Sequence, residues 1–399
     1  MANQCEKHRN GTSYNVAGAA AVDGARDRTI GTNHDARRPA SAVAPEPAGS
    51  RPRAITIAAM NTPNPASPPS AAALPRIAVL ATGGTIAGAA PDAASTAGYQ
   101  AGALGVGFLV DAVPALASVA RIDAEQIASI DSKDLALPLW NTLAARIDAL
   151  MADPAVDGIV ITHGTDTLEE TAYALHLVVK GDKPVVMTAA MRPATALSSD
   201  GPLNLLNAVT VAAHPAARGQ GVLIAFNNRI HGARDVVKTS TYAVDAFQSP
   251  ELGALGWVQD GRVEFARRVT RSRDAQLAIA ATWPPVEVVA SYAGVTRTAV
   301  DALVATGVRG LVVAGTGNGS IHATLQAALA DAVNAGVAVI RASRVGSGHV
   351  MRNGAANDDA LGFVSAGSLN PFKARVLLML ALANGIRARD ELQRVFDTF

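Results

Sequence analysis

Short runs of apolar residues alternate with longer amphipathic stretches along most of the chain. Each run is bounded by Gly, Pro or polar residues, which is typical of buried strands. The predicted strands cover residues 76–82, 158–162, 184–188, 222–226, 310–314 and 337–340. The predicted helices cover residues 140–151, 168–179, 201–214, 322–335 and 371–384. Buried strands that alternate with helices of this length indicate βαβ units, so the predicted fold class is α/β with mainly parallel sheets.

One stretch breaks this alternation and divides the predicted fold into two domains. Residues 267–284 contain several charged residues and end next to Pro285, and they show no clear strand period. We interpret them as a linker between a larger N-terminal α/β domain, residues 76–266, and a smaller C-terminal α/β domain, residues 285–399.

The first 75 residues differ from the rest of the chain. They hold nine of its 21 prolines and show no sustained apolar period. Such a segment cannot bury enough surface to offset the entropy of ordering it, so we predict a disordered extension. A start at Met60 and a targeting signal are the alternatives, although no apolar run here is long enough for a secretory signal.

The overall charge does not point to nucleic acid or a membrane surface as a partner. The 399 residues contain 34 Lys and Arg against 33 Asp and Glu, a formal net charge of +1. This balance gives no electrostatic reason to expect nucleic acid or an anionic membrane surface as a partner. No apolar stretch reaches the roughly 18 residues of a membrane span, so we predict no membrane association.

The sequence motifs that usually bind metals and cofactors are also absent. Cys5 is the single cysteine, which excludes an internal disulfide and a cysteine-rich metal cluster. The chain has no paired Cys/His spacing, no H-E-x-x-H sequence and no phosphate-binding P-loop sequence. We therefore predict no metal and no cofactor.

Candidate chemistry follows directly after the predicted strands, where ligands bind in open parallel sheets. The first strand leads into ATGGTIAG, residues 81–88, and the second into THGTDTLEE, residues 162–170. Each loop places a threonine beside glycine, Thr85 in one and Thr165 in the other. A threonine hydroxyl acts as a nucleophile when a base or a nearby cation activates it. Neighbouring glycines let backbone N–H groups approach a ligand, and such donors stabilise an oxyanion.

Each motif alone has a simpler interpretation. Gly-Gly-Thr is a common turn, and the second loop could be a helix N-terminus that Thr167 caps and Glu170 closes. The glycines of GTGNGS, residues 315–320, do not have the dinucleotide-binding spacing. His163 is more typical of a packed histidine than of a metal ligand.

In combination, however, these motifs resemble the L-asparaginases, most closely the bacterial type II asparaginase and glutaminase-asparaginase group. The resemblance runs from about residue 76 to residue 399. It rests on ATGGTIAG (81–88), ITHGTDTLEE (161–170), AMRP (190–193), SDGPLN (199–204), RDVVKT (234–239), GTGNGS (315–320) and LNPFKARVLL (369–378).

The resemblance implies hydrolysis of a side-chain amide and assigns residues to that reaction. The implied substrate is L-asparagine, with L-glutamine as a second small-molecule substrate. Thr85 would be the nucleophile that forms an acyl-enzyme, with the Tyr99 hydroxyl beside it on a lid, residues 89–107. The implied catalytic residues are Thr85, Tyr99, Thr165, Asp166 and Lys238. The implied substrate-binding residues are Gly84, Ser132, Lys133, Gly164 and Ala190, where Ser132 and Asp166 match positions that hold the substrate's α-carboxylate and α-amino groups.

The resemblance also implies an assembly and contains two departures, of which one is the replacement, around residues 291–294, of an Asn that some members have near the α-amino group. It implies a homotetramer or homodimer, and we expect a cytoplasmic location, with the periplasm as the alternative. The type II group uses a glutamate from a neighbouring subunit near the substrate's α-amino group, but this chain has Ala355 or Ala356 there. We expect weaker substrate binding unless Asp358 or Asp359 substitutes.

Three other functions are consistent with parts of the sequence. A subunit of a tRNA-dependent amidotransferase would share the asparaginase-like motifs. A non-catalytic amino-acid-binding protein would share the fold, and the missing glutamate is the feature that favours it. A nucleotide-binding oxidoreductase would rest on residues 315–320 alone.

Overall fold

The computed structural model describes residues 74–269 and 276–399. The predicted disordered extension lies outside the described residues, except for Leu74 and Pro75, and so does the middle of the predicted linker, residues 270–275. In the N-terminal part, the strands are β1 (Arg76–Gly83), β2 (Arg121–Ile130), β3 (Gly158–Thr162), β4 (Val185–Thr188), β5 (Val222–Phe226), β6 (Arg229–Gly232), β7 (Val237–Lys238), β8 (Phe247–Gln248), β9 (Gly256–Gln259) and β10 (Arg262–Phe265). Its α-helices are α1 (Val106–Asp111), α2 (Pro138–Ala152), α3 (Leu168–Val178) and α4 (Gly201–Ala213).

The C-terminal part has a smaller sheet. Its strands are β11 (Val286–Ala290), β12 (Gly310–Gly315), β13 (Ala338–Ser343) and β14 (Val364–Ser365). Its helices are α5 (Thr298–Ala305), α6 (Ala323–Asn334), α7 (Asp358–Leu361), α8 (Pro371–Ala383) and α9 (Arg389–Thr398). All neighbouring strands in this sheet are parallel, in the order β11-β12-β13-β14.

The larger sheet is parallel in one half and antiparallel in the other. Among the described residues its strand order is β10-β9-β6-β5-β4-β3-β1-β2, and the strands from β5 to β2 are parallel. Strands β6, β9 and β10 add antiparallel pairs at the far edge. A larger, mostly parallel N-terminal sheet and a smaller parallel C-terminal sheet confirm the predicted α/β class with two domains.

The strands that the pattern missed have physical reasons for their weak signal. Strand β2 lies at an edge and alternates between half-buried and exposed positions, so it lacks a continuous apolar run. Strands β6, β9 and β10 are only four residues long, and two-residue turns join β5 to β6 and β9 to β10. Asn227 and Asn228, with φ of 44° and 62°, form the β5–β6 turn. Such two-residue turns with positive φ match the twist of a β-hairpin.

Helix α8 forms the centre of the core between the two sheets. It packs against α3 on one side and against β11, β12 and β13 on the other. Its sequence, PFKARVLLMLALA, is apolar around nearly the whole helix because both faces are covered. Leu377, Leu378 and Leu380 are fully buried, and each contributes about 1.5–3 kcal/mol to folding. The C-terminal domain is therefore packed tightly behind the strands that carry the candidate site.

Candidate active site

The two threonine loops meet at the carboxyl ends of β1 and β3. These strands are parallel neighbours, with Ala81 opposite Thr162. The loops touch at two glycines: a Cβ on Gly84 would lie 2.2 Å from the Cα of Gly164. Only glycine permits this approach, so the contact holds the backbones of residues 84 and 164 together beside Thr85 and Thr165.

Thr85 forms a hydroxyl pair with Tyr99. Their oxygen atoms are 2.6 Å apart, and Thr85 is buried. The Tyr99 ring lies against Gly88, where a Cβ would come within 2.9 Å of a ring carbon. The predicted nucleophile and its predicted partner are therefore in direct contact.

The predicted lid that carries Tyr99 is attached at several points. Backbone hydrogen bonds join Ala89 and Gln100 in both directions, at 2.9 and 3.0 Å. The Ala90 N–H donates to the Thr195 hydroxyl at 2.8 Å, next to the 190–193 motif. The Gly102 N–H also donates to the Gly84 carbonyl at 3.0 Å, so the lid lies against the first threonine loop.

A second cluster joins Thr165, Asp166 and Lys238. The Lys238 ammonium donates to the Thr165 hydroxyl oxygen at 2.9 Å and to an Asp166 carboxylate oxygen at 2.6 Å. Thr165 is buried, whereas the Asp166 side chain is 51% exposed and can reach a ligand from solvent. A positive charge beside a hydroxyl favours its anionic or polarised form, so the contact with Lys238 polarises the Thr165 hydroxyl.

Ser132 lies below both clusters. Its hydroxyl accepts a hydrogen bond from the Asp166 N–H at 3.2 Å, and its carbonyl accepts one from the Thr167 hydroxyl at 2.9 Å. A Cβ on Gly164 would lie 2.4 Å from the Ser132 hydroxyl oxygen, so the contact is close. Because Thr167 donates to Ser132, it makes no side-chain cap for α3, and the alternative interpretation of this loop as a Thr167–Glu170 capping box is wrong.

Two of the predicted substrate-binding residues lie apart from these hydroxyls. The Lys133 ammonium pairs with Asp131 at 2.5 Å and with Asp134 at 3.3 Å, and its side chain is 60% exposed. Hydrogen bonds to these carboxylates raise its pKa. Ala190 is buried in the same apolar cluster as Ile86, so it supports the loop of Thr85 from below.

Two acidic residues have structural roles that the sequence did not reveal. Glu169 accepts hydrogen bonds from the Lys238 N–H and from the Asn370 side chain, both at 2.7 Å. Asp200, in the 199–204 motif, accepts bonds from the N–H groups of Met191 and Arg192 at 2.9 and 3.0 Å. In both cases the sequence shows an acidic residue at the start of a helix, but it does not show which groups bind to that residue.

His163 is a packed residue, as its sequence context indicated. Its ring is buried, and its Nδ1–H donates to the Gly164 carbonyl at 2.7 Å. Burial lowers its pKa to about 4, although the bond to Gly164 opposes this effect. The ring is therefore neutral at pH 7. Within the described residues, no group of three or more His, Cys, Asp or Glu side chains is arranged to hold a metal ion.

Both halves of the chain match known protein families. Residues 76–271 match the family described as "Asparaginase, N-terminal", and residues 285–396 match "Glutaminase/Asparaginase C-terminal domain". The chain belongs to the asparaginase family. The predicted resemblance is thereby confirmed.

Individual members of the asparaginase family are similar over most of the chain. The "Probable L-asparaginase periplasmic" of Haemophilus influenzae is 45% identical over 71% of this chain and 81% of its own length. The "L-asparaginase 2" of Escherichia coli is 43% identical over 70% of this chain and 81% of its own length. The "Glutaminase-asparaginase" of Pseudomonas fluorescens is 44% identical over 70% of this chain and 78% of its own length.

A solved structure from this family has the same fold. The crystal structure of the "Probable Cytoplasmic L-asparaginase" of Campylobacter jejuni has a TM-score of 0.79 and 45% sequence identity. The match covers 82% of this chain and all of that chain. The relatives thus carry both periplasmic and cytoplasmic names. Among the described residues of this chain, no helix has the length and hydrophobicity needed to cross a membrane.

The two aspartates that could replace the missing type II glutamate both have other partners. Asp358 forms a buried pair with Arg341, and both side chains are fully buried. Asp359 bonds to Asn353, Arg352 and Arg389, and these contacts, the first above all, lower its pKa to about 2. Both carboxylates are thus already engaged within their own subunit, which argues against either one replacing the glutamate.

Proposed function

We propose that this chain is an L-asparaginase that hydrolyses L-asparagine to L-aspartate and ammonia, with L-glutamine as a side substrate. One observation carries the proposal: two threonines with hydrogen-bonded hydroxyls lie on loops that touch. Thr85 bonds to Tyr99, and Thr165 bonds to Lys238. The relatives named L-asparaginase 2 and glutaminase-asparaginase support the choice of substrate.

The first half of the proposed reaction transfers the acyl group to Thr85. Its oxygen attacks the side-chain amide carbon of asparagine, and a C–O bond forms. The C–N bond then breaks, and the proton from the threonine hydroxyl leaves with the nitrogen as ammonia. Tyr99, 2.6 Å from the Thr85 oxygen, is placed to pass this proton on.

The second half hydrolyses the β-aspartyl ester. A water oxygen bonds to the acyl carbon, the bond to the Thr85 oxygen breaks, and a proton returns to Thr85. Thr165 is the group that orients this water, because the Lys238 ammonium donates to its oxygen, fixes its position and polarises the hydroxyl, which can then donate to the water.

The backbone supplies the donors for the oxyanion. Within residues 74–269 and 276–399, the N–H groups of Thr85 and Thr165 make no protein hydrogen bond. Both are next to the glycines that bring the loops together, and we assign the oxyanion to them. Ser132 and Asp166 bind the α-carboxylate and α-amino groups, with the half-exposed Asp166 carboxylate facing the ammonium.

Ammonia release from purified full-length chain tests this proposal. We expect release from L-asparagine at a rate well above that from L-glutamine, and a loss of at least about 1,000-fold in Thr85→Ala. No release from either amide at millimolar substrate would contradict the proposal.

We also propose that the chain forms a homotetramer or homodimer. Several large apolar side chains are exposed, among them Tyr242 at 82%, Met351 at 60% and Val345 at 49%, and contact with a second copy would cover such residues. Sedimentation of the active species tests this, and an active monomer would contradict it.

A further inference from the structure

The segment that carries Lys238 has little support of its own. Lys238 lies in β7, a strand of only two residues that pairs with β8 alone. Both positions of β7 are half-buried. Such a short isolated ribbon does not hold a side chain in place by itself. Other parts of the molecule must therefore fix the Lys238 ammonium against Thr165.

Lys373 of helix α8 provides one of these supports. Its ammonium donates to the Arg234 carbonyl at 2.8 Å and makes a close bond to the Val236 carbonyl. Both acceptors belong to the stretch that leads into Lys238. The Lys373 side chain is 1% exposed, and a buried ammonium is retained only where its partners compensate for lost hydration. Burial lowers its pKa to about 8, although the nearby carboxylates of Glu169 and Asp235 oppose this effect.

Glu169 provides the second support. One carboxylate oxygen accepts the Lys238 N–H at 2.7 Å, and the other accepts the side-chain N–H of Asn370 at 2.7 Å. Asn370 in turn caps α8, because its oxygen accepts the Lys373 N–H at 2.9 Å. Glu169 lies four residues after Thr165, in the first turn of α3.

These bonds form a closed circuit. It runs from the Thr165 loop through Glu169 to the Lys238 backbone. From Lys238 it follows the chain back to the Arg234 and Val236 carbonyls, which accept from Lys373. It then passes from Lys373 to Asn370, which caps α8, and from Asn370 to Glu169. Lys373 and Asn370 belong to the C-terminal domain. Their partners, Glu169 and the carbonyls before Lys238, belong to the N-terminal domain. The distance between Lys238 and Thr165 therefore depends on both domains.

We propose that Lys373 and Glu169 are positioning residues that fix Lys238 against Thr165. The proposal rests on the proposed amide hydrolysis, in which Lys238 activates Thr165. Both side chains are buried and bond to the backbone at or just before Lys238, so each acts through Lys238. A displacement of about 1 Å at a catalytic group lowers the rate by about 100-fold, while substrate contacts made elsewhere survive.

The experiment compares three variants of the full-length chain. Lys373→Met removes both bonds to the carbonyls but keeps the length of the side chain. Glu169→Gln removes one bond whichever way the amide turns, because both partners of Glu169 are donors. Lys183→Met is the matched control, since the Lys183 ammonium also donates to two backbone carbonyls, those of Leu150 and Asp153. Lys183 lies just before the first residue of β4, at the end of the sheet away from the candidate site.

The kinetic readout separates positioning from a merely structural role. For Lys373→Met and Glu169→Gln, we expect kcat for L-asparagine to fall about 10- to 100-fold per folded chain, with KM within about 2-fold of wild type. Lys183→Met is expected to keep both constants. An unchanged kcat in folded Glu169→Gln, or a change confined to KM, would overturn the proposal even if Lys373→Met does not fold.

Hydrogen exchange tests the same idea without activity. Glu169→Ala removes both bonds of the carboxylate, so the Lys238 amide should exchange at least about 10-fold faster in this variant than in wild type, while the amides of β3 keep their rates. Equal exchange at Lys238 in the two proteins would overturn the proposal. An inactive wild type with this exchange difference would instead contradict the proposed function and leave the positioning role standing.

Discussion

Replacing Gly84 by alanine is expected to separate the two threonine loops. The new Cβ would lie 2.2 Å from the Gly164 Cα and 2.4 Å from the Gly164 nitrogen. Both are backbone atoms, so no side-chain rotation relieves the overlap. Gly84 also has φ of 79° and ψ of −172°, a region that is essentially restricted to glycine.

The size of the effect follows from these two quantities. An ordinary contact needs at least 3.4 Å, so the loops must move apart by about 1 Å. The strained backbone costs about 1–3 kcal/mol of folding free energy. A shift of about 1 Å between reacting groups lowers the rate about 100-fold. We therefore expect kcat per folded Gly84→Ala chain to fall about 100-fold, a loss that lower stability does not explain because only folded chain is counted.

Two glycine variants control for the separate effects. Gly336 has φ of 84°, and no atom lies within 4 Å of the position that a new methyl group would take, so Gly336→Ala adds backbone strain alone. Gly346 lies outside the lid with equally open surroundings and no positive φ, so Gly346→Ala adds a methyl group alone. We expect lower stability and normal kcat for the first, and normal values of both for the second.

The assay is ammonia release from L-asparagine, together with urea unfolding of each variant. A folded Gly84→Ala chain with kcat within about 3-fold of wild type would refute the argument. It would mean that the contact between the two loops does not set the geometry of the reaction.

Three further predictions concern other parts of the chain. Tyr99→Phe removes the 2.6 Å bond to the Thr85 hydroxyl, so kcat should fall about 10- to 100-fold at unchanged stability, measured by steady-state kinetics and thermal unfolding. Arg341→Met leaves the fully buried Asp358 carboxylate without its partner and should cost about 3–5 kcal/mol in urea unfolding; a loss below about 1 kcal/mol would contradict this. Burial lowers the pKa of His163 from 6.5 to about 4, so its contribution to stability is complete above pH 6.5 and is lost as the pH falls towards 4. His163→Gln should therefore remove about 3 kcal/mol of the acid-induced loss of unfolding free energy, and equal pH dependence of variant and wild type would speak against it.

The sequence predicted the parts of the fold that depend on local pattern. The five predicted helices are present with ends shifted by no more than two residues, and helix α2 begins at Pro138, a residue suited to a first turn. The apolar runs of β1 and β3 also indicated where Thr85 and Thr165 would lie. These features are recoverable because hydrophobic period and strand-end position are properties of neighbouring residues.

One missed feature was present in the sequence. The β9–β10 hairpin turns at Asp260–Gly261, both with positive φ, and Asp-Gly is a strong signal of such a turn. The flanking strands are too short to show a clear alternation, so the signal stood alone.

The remaining parts could not be predicted, because they depend on contacts between distant residues. Glu169 bonds to Lys238, 69 positions later, and to Asn370, 201 positions later. Nothing near Glu169 in the sequence distinguishes it from an acidic residue that favours a helix N-terminus. For Lys133, the sequence suggested a role in substrate binding, and this assignment remains a prediction. In the structure its ammonium pairs with two neighbouring aspartates.

The central claim is that Thr85 carries the acyl group. Rapid acid quenching of the full-length chain with saturating L-asparagine, followed by mass spectrometry of its peptides, tests this most directly. We predict an added β-aspartyl group on the peptide that contains Thr85, and no adduct in Thr85→Ala. An adduct on another residue, or ammonia release by Thr85→Ala at the wild-type rate, would contradict the claim.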